Sequence, residues 1–213
     1  MEDRIAIGAV VFDLGGVLID WNPRHLYRKL FDEEEAMERF LREVCSPDWI
    51  RRLDAGRSFE EGLAELMLLH PEQEPFIRAW RERWEEMLGG EISGTVALLE
   101  ELHSSGMPLY ALTNWSAETF PIGRRRFAFL NRFRHILISG EEGVIKPDPR
   151  IFGLLIERTG LIPERTIFVD DSQANVAAAL GLGFQAIRFI GAEELRGHFQ
   201  RLGLLSGSTP HPH

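Results

Sequence analysis

The sequence is poor in cysteine and carries fewer basic than acidic residues. Its 213 residues include one cysteine, Cys45, which excludes an internal disulfide and fits a reducing compartment. Lys and Arg number 24 against 33 Asp and Glu, giving a formal net charge of −9. That balance argues against nucleic acid or an anionic membrane as the partner. Cys45 has no activating pattern nearby, so we interpret it as structural.

Long hydrophobic runs are also lacking. The first apolar run is broken by Asp13 and the glycines that follow it, so no signal peptide is visible. No other run is long enough to span a membrane. Together with the scarce cysteine, these observations predict a cytoplasmic protein. The composition, 44% hydrophobic and 27% charged, is typical of a globular chain that buries a full core.

Five short apolar runs predict β-strands, and helical patterns lie between them. The predicted strands cover residues 5–12, 108–112, 134–139, 166–169 and 185–189. The helical patterns cover residues 93–104, 149–159 and 175–180. Strands that alternate with helices predict βαβ units, and therefore a parallel sheet covered on both faces.

The region between the first and second predicted strands breaks this alternation. It contains helical patterns at 30–44, 59–69 and 74–88, with no convincing strand between about Asn22 and Gly90. The Asn22-Pro23 turn and the Gly89-Gly90 pair mark its edges. We therefore predict a core formed by residues 1–20 and 91–205, a helical insertion at 21–90, and a disordered tail at 206–213.

Polar side chains follow four of the predicted strands. They are Asp13, the pair Thr113-Asn114, Lys146, and the pair Asp170-Asp171. Any one of them alone has a simpler explanation, as a helix cap or a solvated loop residue. Ligands of open parallel sheets bind beyond the carboxyl ends of the strands, so four such groups in one sheet favour a shared site.

The residue types at these positions indicate a particular chemistry. Asp13 precedes two glycines, which allow a sharp turn and close approach to a ligand, and its carboxylate can act as a nucleophile. Asp170 and Asp171 place like charges side by side, a conflict that a hard divalent cation such as Mg²⁺ resolves. Lys146 supplies a fixed positive charge that can hold an anion.

Four motifs in order resemble those of the haloacid dehalogenase superfamily of hydrolases. They are VVFDLGGVL at 10–18, ALTN at 111–114, GVIKPDPRIF at 143–152 and IFVDDSQANVAAALGLG at 167–183. The resemblance covers nearly the whole chain and implies an α/β fold, with a Rossmann-like parallel sheet core and a small all-helical cap. The subgroup it is most similar to includes sugar-phosphate phosphatases and 2-haloacid dehalogenases.

The resemblance also implies a role for each matching residue. Asp13 would be the nucleophile that becomes an aspartyl-phosphate, and Lys146 would orient it and stabilise charge. Thr113 and Asn114 would bind the transferring group.

A Mg²⁺ ion is the cofactor that the resemblance implies. Asp13, Asp170 and the backbone carbonyl of Gly15 would hold it. Asp171 would be a second or water-mediated carboxylate ligand.

Gly15 departs from the pattern of the family. Phosphatases of the family usually carry a second aspartate there, which protonates the leaving oxygen and then activates water. Three explanations stay open: a leaving group that needs no acid, a substitute such as Asp20 or His25, or dehalogenation, in which halide needs no proton. A domain that binds a phospho-ligand without turnover is a fourth hypothesis.

The Asp170-Asp171 pair favours the phosphatase, because dehalogenases of this family need no metal and lack such a pair. We therefore predict a Mg²⁺-dependent phosphatase acting on a small phosphorylated metabolite, for example a sugar phosphate. The alternatives are a metal-free 2-haloacid dehalogenase that uses Asp13, and a regulatory phospho-ligand-binding domain. We expect a monomer or homodimer whose partner is a small molecule.

Overall fold

A computed structural model describes residues 6–206, and within them a five-stranded sheet forms the centre of the fold. The strands of this described part are β1 (Ala9–Phe12), β2 (Ile19–Trp21), β3 (Leu88–Glu91), β4 (Leu109–Thr113), β5 (His135–Ile138), β6 (Thr166–Asp170) and β7 (Gln185–Arg188). The central sheet has the order β5-β4-β1-β6-β7, and every neighbouring pair in it is parallel. The predicted α/β, Rossmann-like class is confirmed.

Both faces of this sheet are buried, which explains why β1 is apolar throughout. Successive side chains of a strand point to opposite faces. Val10 and Phe12 belong to one hydrophobic cluster and Ala9 and Val11 to another. Helices therefore cover the sheet on both sides, as its continuous hydrophobic runs predict.

The helices of residues 6–206 fall into two groups. Five lie between β2 and β3, namely α1 (Arg24–Tyr27), α2 (Glu34–Glu43), α3 (Pro47–Asp54), α4 (Phe59–Leu69) and α5 (Glu74–Glu82). Six follow β3, namely α6 (Ser93–Ser104), α7 (Phe120–Arg126), α8 (Ser139–Glu142), α9 (Pro149–Thr159), α10 (Gln173–Gly181) and α11 (Ala192–Arg201). Short 3₁₀ helices occur at Pro71–Gln73, Trp84–Met87, Ala128–Arg132 and Pro163–Arg165.

The helical segment, α1 to α5, has an aromatic interior. Tyr27 and Trp80 are buried there with ring centroids 5.9 Å apart, and Trp49 meets Trp80 edge to face at 5.1 Å. Cys45 is fully buried in the same region, which agrees with a structural role. Ser46 caps α3 by accepting a hydrogen bond from the backbone N–H of Trp49. The predicted helical patterns at 30–44 and 59–69 leave this helix out.

A second, two-stranded sheet joins the helical segment to the rest of the chain, and the sequence did not reveal it. β2 pairs with β3 in antiparallel orientation. The helix expected at 74–88 therefore ends earlier, and Gly89 and Gly90 lie within a strand rather than in a turn. A side chain at Gly89 would displace the side chains of Asp20 and His25, which lie where its Cβ would be.

No helix among residues 6–206 is long and apolar enough to cross a membrane. The predicted disordered tail lies almost wholly outside the described residues, which end at Ser206.

Candidate active site

The carboxyl ends of the central strands bring the predicted residues together. Asp13 follows β1, Thr113 ends β4, and Asp170 ends β6. Because β1 lies between β4 and β6, these three ends are adjacent in the sheet. Lys146 reaches the same place from the loop that precedes α9, and its Nζ lies 2.8 Å from Asp13 Oδ1 and 2.7 Å from Asp170 Oδ2.

Asp13 is held by one of its two carboxylate oxygens. Oδ1 pairs with Lys146 and also accepts a hydrogen bond from the backbone N–H of Leu14 at 2.7 Å. Within the described residues, Oδ2 has no hydrogen-bond donor. Burial raises the pKa of Asp13 to about 7, against the lowering effect of Lys146, and the charge of Asp170 adds to the increase. The carboxyl is thus fixed in direction with one oxygen free.

Lys146 is almost fully buried, with 2% of its surface exposed. Burial alone lowers the pKa of its ammonium group, but the charges and hydrogen bonds of Asp13 and Asp170 outweigh it, so the pKa lies above its ordinary value. The lysine therefore stays charged. It is a buried cation between two carboxylates, not a solvated loop residue.

Asp170 accepts several hydrogen bonds besides that from Lys146. Its Oδ1 accepts from the backbone N–H of Ser172 at 2.9 Å, and the amide of Asn175 donates to both oxygens at 2.9 and 3.1 Å. The residue has no exposed surface. Most of its lone pairs are therefore occupied by protein donors. Asn175 lies inside the fourth motif, but sequence reasoning gave it no role.

Asp171 is exposed and lies beside a polar cavity of about 230 Å³. One carboxylate oxygen from each of Asp13, Asp170 and Asp171 lies within 4.8 Å of the others. Burial raises the pKa of Asp171, and the negative charge of Asp170 raises it further. Three oxygen donors that repel one another at this distance fit a hard divalent cation such as Mg²⁺.

Gly15 and Gly16 form the turn after Asp13 but differ in their surroundings. Gly16 has φ of +74°, and a Cβ added to it would lie 2.5 Å from Asp171 Oδ2. Gly15 has no positive φ, and a Cβ added there would meet nothing within 4 Å. Gly16 is therefore required by the backbone and by the neighbouring carboxylate, whereas Gly15 has room for a side chain.

Asn114 fixes the loop that carries the lysine. Its Nδ2 donates to the backbone carbonyl of Lys146 at 3.1 Å, and its Oδ1 accepts from the Lys146 backbone N–H at 2.8 Å. Thr113 is buried at the end of β4 and lines a second cavity. Asn114 thus positions Lys146, with one N–H of its amide left for an anion.

The second cavity, of about 70 Å³, adjoins the polar one and lies against the helical segment. Gly15, Trp21 and Asn114 line both cavities. Its other walls are mainly apolar and comprise Ile50, Leu53, Phe59, Trp80, Trp84 and Trp115, with Asp54, Thr113, Ser116 and Thr119. We call it the aromatic cavity.

Asp54, at the end of α3, is an acidic wall residue of this cavity that sequence reasoning missed. Burial raises its pKa to about 7, while the backbone N–H of Ser116 and the charge of Lys146 lower it. Its sequence signal is weak but physical, because an acid in the last turn of a helix opposes the helix dipole.

Comparisons with known proteins show the family to which the chain belongs. A family model described as haloacid dehalogenase-like hydrolase matches residues 7–183. A phosphorylated carbohydrates phosphatase of Thermotoga maritima is 30% identical and covers 84% of this chain and 83% of its own. A sesquiterpene phosphatase of Aspergillus oryzae is 28% identical and covers 82% and 86%. The mouse acyl-CoA dehydrogenase family member 10 is 28% identical over 84% of this chain. The matched segment spans 18% of the length of the mouse protein.

Among solved structures, a haloacid dehalogenase family enzyme of Bacteroides thetaiotaomicron in complex with magnesium and inorganic phosphate superposes with a TM-score of 0.69. The superposition covers 91% of this chain and the whole of the Bacteroides chain, at 22% sequence identity. The two proteins therefore share the same fold. The family match spans most of the chain, from β1 to the end of α10. The chain belongs to the haloacid dehalogenase-like hydrolases.

Proposed function

We propose that this protein is a Mg²⁺-dependent phosphatase that hydrolyses a small phosphate monoester through an aspartyl-phosphate on Asp13. The observation that carries the proposal is the Lys146 ammonium group, bonded to Asp13 and Asp170 beside a third carboxylate. A buried cation and a metal-binding cluster at one strand end suit a dianionic phosphoryl group better than a neutral substrate.

The metal would be held by Asp13, Asp171 and the backbone carbonyl of Gly15. Asp171 is the more available of the acidic pair, because it lines the polar cavity while Asp170 is buried and hydrogen-bonded to Lys146 and Asn175. We therefore propose that Asp170 holds Lys146. Its negative charge would also act on the metal, either by direct contact or through a water molecule. When bound, Mg²⁺ would neutralise the phosphoryl oxygens.

Asp13 would attack phosphorus with Oδ2, the oxygen that protein donors leave free. Lys146 and the backbone N–H of Leu14 hold Oδ1 and so fix the direction of attack. Lys146 also offsets the charge that develops on the transferring group. Thr113 and the remaining N–H of Asn114 would bind a phosphoryl oxygen.

The aromatic cavity would receive the leaving group. Its walls are mainly Trp, Phe, Ile and Leu side chains, and such a surface favours an apolar or aryl group over a free sugar. The two phosphatase relatives, named for sesquiterpenes and for carbohydrates, span both possibilities. We propose that the helical segment α1 to α5 is a cap that closes over this group and excludes water.

Phosphate release from a panel of aryl, alkyl and sugar phosphates tests the proposal, with and without Mg²⁺. We expect turnover that needs the metal and is lost in the isosteric Asp13→Asn variant. Equal turnover by wild type and variant would reject the mechanism. Chloride release from a 2-chloro acid in the presence of a chelator would instead support the dehalogenase hypothesis. A protein inert toward both panels would favour the regulatory one.

A further inference from the structure

The proposed chemistry needs a proton donor for the leaving oxygen, and Gly15 cannot supply it. Asp54 is an acidic residue on the wall of a cavity that Gly15 also lines. It lines the aromatic cavity together with Gly15, Thr113 and Asn114, where the leaving group of a substrate bound at Asp13 would lie.

Asp54 stands apart from the metal-binding cluster. The carboxylates whose oxygens lie within 4.8 Å of one another are Asp13, Asp170 and Asp171, and Asp54 is not among them in the described chain. It also lines only the aromatic cavity, whereas Asp13 and Asp171 line the polar one. Its position is therefore that of an acid facing the leaving group, not of a further metal ligand.

The end of α3 is anchored to the core, so this position is fixed. The backbone carbonyl of Asp54 accepts a hydrogen bond from Ser139 Oγ at 2.6 Å. The same Oγ accepts a hydrogen bond at 3.0 Å from the backbone N–H of Trp115, two residues after β4 ends. A group that must meet a leaving oxygen gains from such a connection between cap and core.

The protonation of Asp54 also suits the task. Burial raises its pKa to about 7, so that a substantial fraction is protonated near neutral pH. A general acid works best when its pKa lies near the working pH.

Resting on the proposed function, we propose that Asp54 replaces the missing aspartate as general acid and general base. Asp13 Oδ2 forms a bond to phosphorus, the bond from phosphorus to the leaving oxygen breaks, and the Asp54 proton passes to that oxygen to give the alcohol. Asp54 then accepts a proton from water as the water oxygen attacks phosphorus. The bond to Asp13 breaks, phosphate leaves, and both carboxyl groups return to their starting states.

The sequence-based substitutes, Asp20 and His25, are placed less well. Their side chains bond to each other at 2.9 Å, are partly exposed, and pack against Gly89. Neither lines the aromatic or the polar cavity. Asp20→Asn is therefore a suitable control for Asp54→Asn, since each replaces one carboxylate near the cap by an isosteric amide.

Two substrates with apolar leaving groups separate proton donation from a structural role. 4-Nitrophenolate leaves without a proton, whereas the alkoxide of benzyl phosphate needs one. We expect Asp54→Asn to lower kcat/KM for benzyl phosphate by about 10²–10⁴-fold and for 4-nitrophenyl phosphate by less than about tenfold. In a stopped-flow assay it should also give a burst of 4-nitrophenolate, because hydrolysis of the aspartyl-phosphate loses its base. Asp20→Asn should match wild type in both assays.

Gly15→Asp provides the rescue, since the site has space for its side chain. Combined with Asp54→Asn, it should restore most of the activity on benzyl phosphate. Equal losses on the two substrates in Asp54→Asn, or no loss, would overturn the assignment while leaving the phosphatase proposal intact. A wild type that releases no phosphate with Mg²⁺ from these two substrates or from the full panel of aryl, alkyl and sugar phosphates would reject both.

Discussion

The two glycines after Asp13 provide a matched test of the metal site. Gly16→Ala places a methyl group at φ of +74° and 2.5 Å from Asp171 Oδ2, below the 3.0 Å that real Cβ contacts respect. Asp171 must therefore move by about 0.5 Å or more, while the left-handed backbone costs about 1–2 kcal/mol of unfolding free energy. Gly15→Ala adds the same methyl group one residue earlier, in open space.

The displacement of Asp171 should appear mainly in metal affinity. Mg²⁺ requires near-octahedral geometry at about 2.0–2.1 Å, so a displaced carboxylate is tolerated poorly. We expect Gly16→Ala to weaken Mg²⁺ binding by about 10–100-fold, the loss typical of disturbed metal surroundings. Gly15→Ala should keep the affinity and change stability by at most about 1 kcal/mol, in the favourable direction.

Isothermal titration calorimetry with Mg²⁺ and inorganic phosphate measures the affinity, and urea unfolding of the metal-free proteins measures the stability. The reasoning is refuted if the two alanine variants bind Mg²⁺ equally well. It is also refuted if Gly15→Ala is the weaker binder, because the structure places no neighbour near that methyl group.

Further predictions follow from buried polar groups. Lys146→Met leaves two buried carboxylates without their cation. In urea unfolding without metal, its free energy of unfolding should be about 3–5 kcal/mol below that of wild type. Ser139→Ala removes the hydrogen bonds to Asp54 and Trp115 and should cost about 1–3 kcal/mol in the same assay. The Asp54 pKa of about 7 lies above its unfolded value of about 4, so its stabilising contribution is present at low pH and lost as pH rises to 7. The unfolding free energy of Asp54→Asn should therefore fall less over that range than that of wild type.

The sequence predicted the parts of the site that local patterns encode. An apolar run followed by a polar residue is a local signal, and at Asp13 and Asp170 it identified the strand ends correctly. The topology then required those ends to meet, because parallel strands place their carboxyl ends at one edge. The meeting of Lys146 with both aspartates is the strongest of these outcomes.

What could not be predicted depends on contacts between distant segments. β2 and β3 are short strands whose pairing bridges 66 intervening residues, and Gly89-Gly90 resembles a turn in sequence alone. Asp54 looks like an ordinary surface acid at a helix end until α3 packs against the core beside Ser116 and Ser139. Asn175 likewise acquires its role only when α10 brings its amide onto Asp170.

The most direct test of the account is a crystal structure with Mg²⁺ and fluoroberyllate, which mimics a phosphoryl group bound to a carboxylate. We predict beryllium bonded to Asp13 Oδ2, a fluorine within hydrogen-bond distance of Lys146, and Mg²⁺ about 2.0–2.1 Å from an oxygen of Asp171. Fluoroberyllate bound elsewhere, or a metal absent from the cluster of Asp13, Asp170 and Asp171, would contradict the claim that Asp13 receives the phosphoryl group.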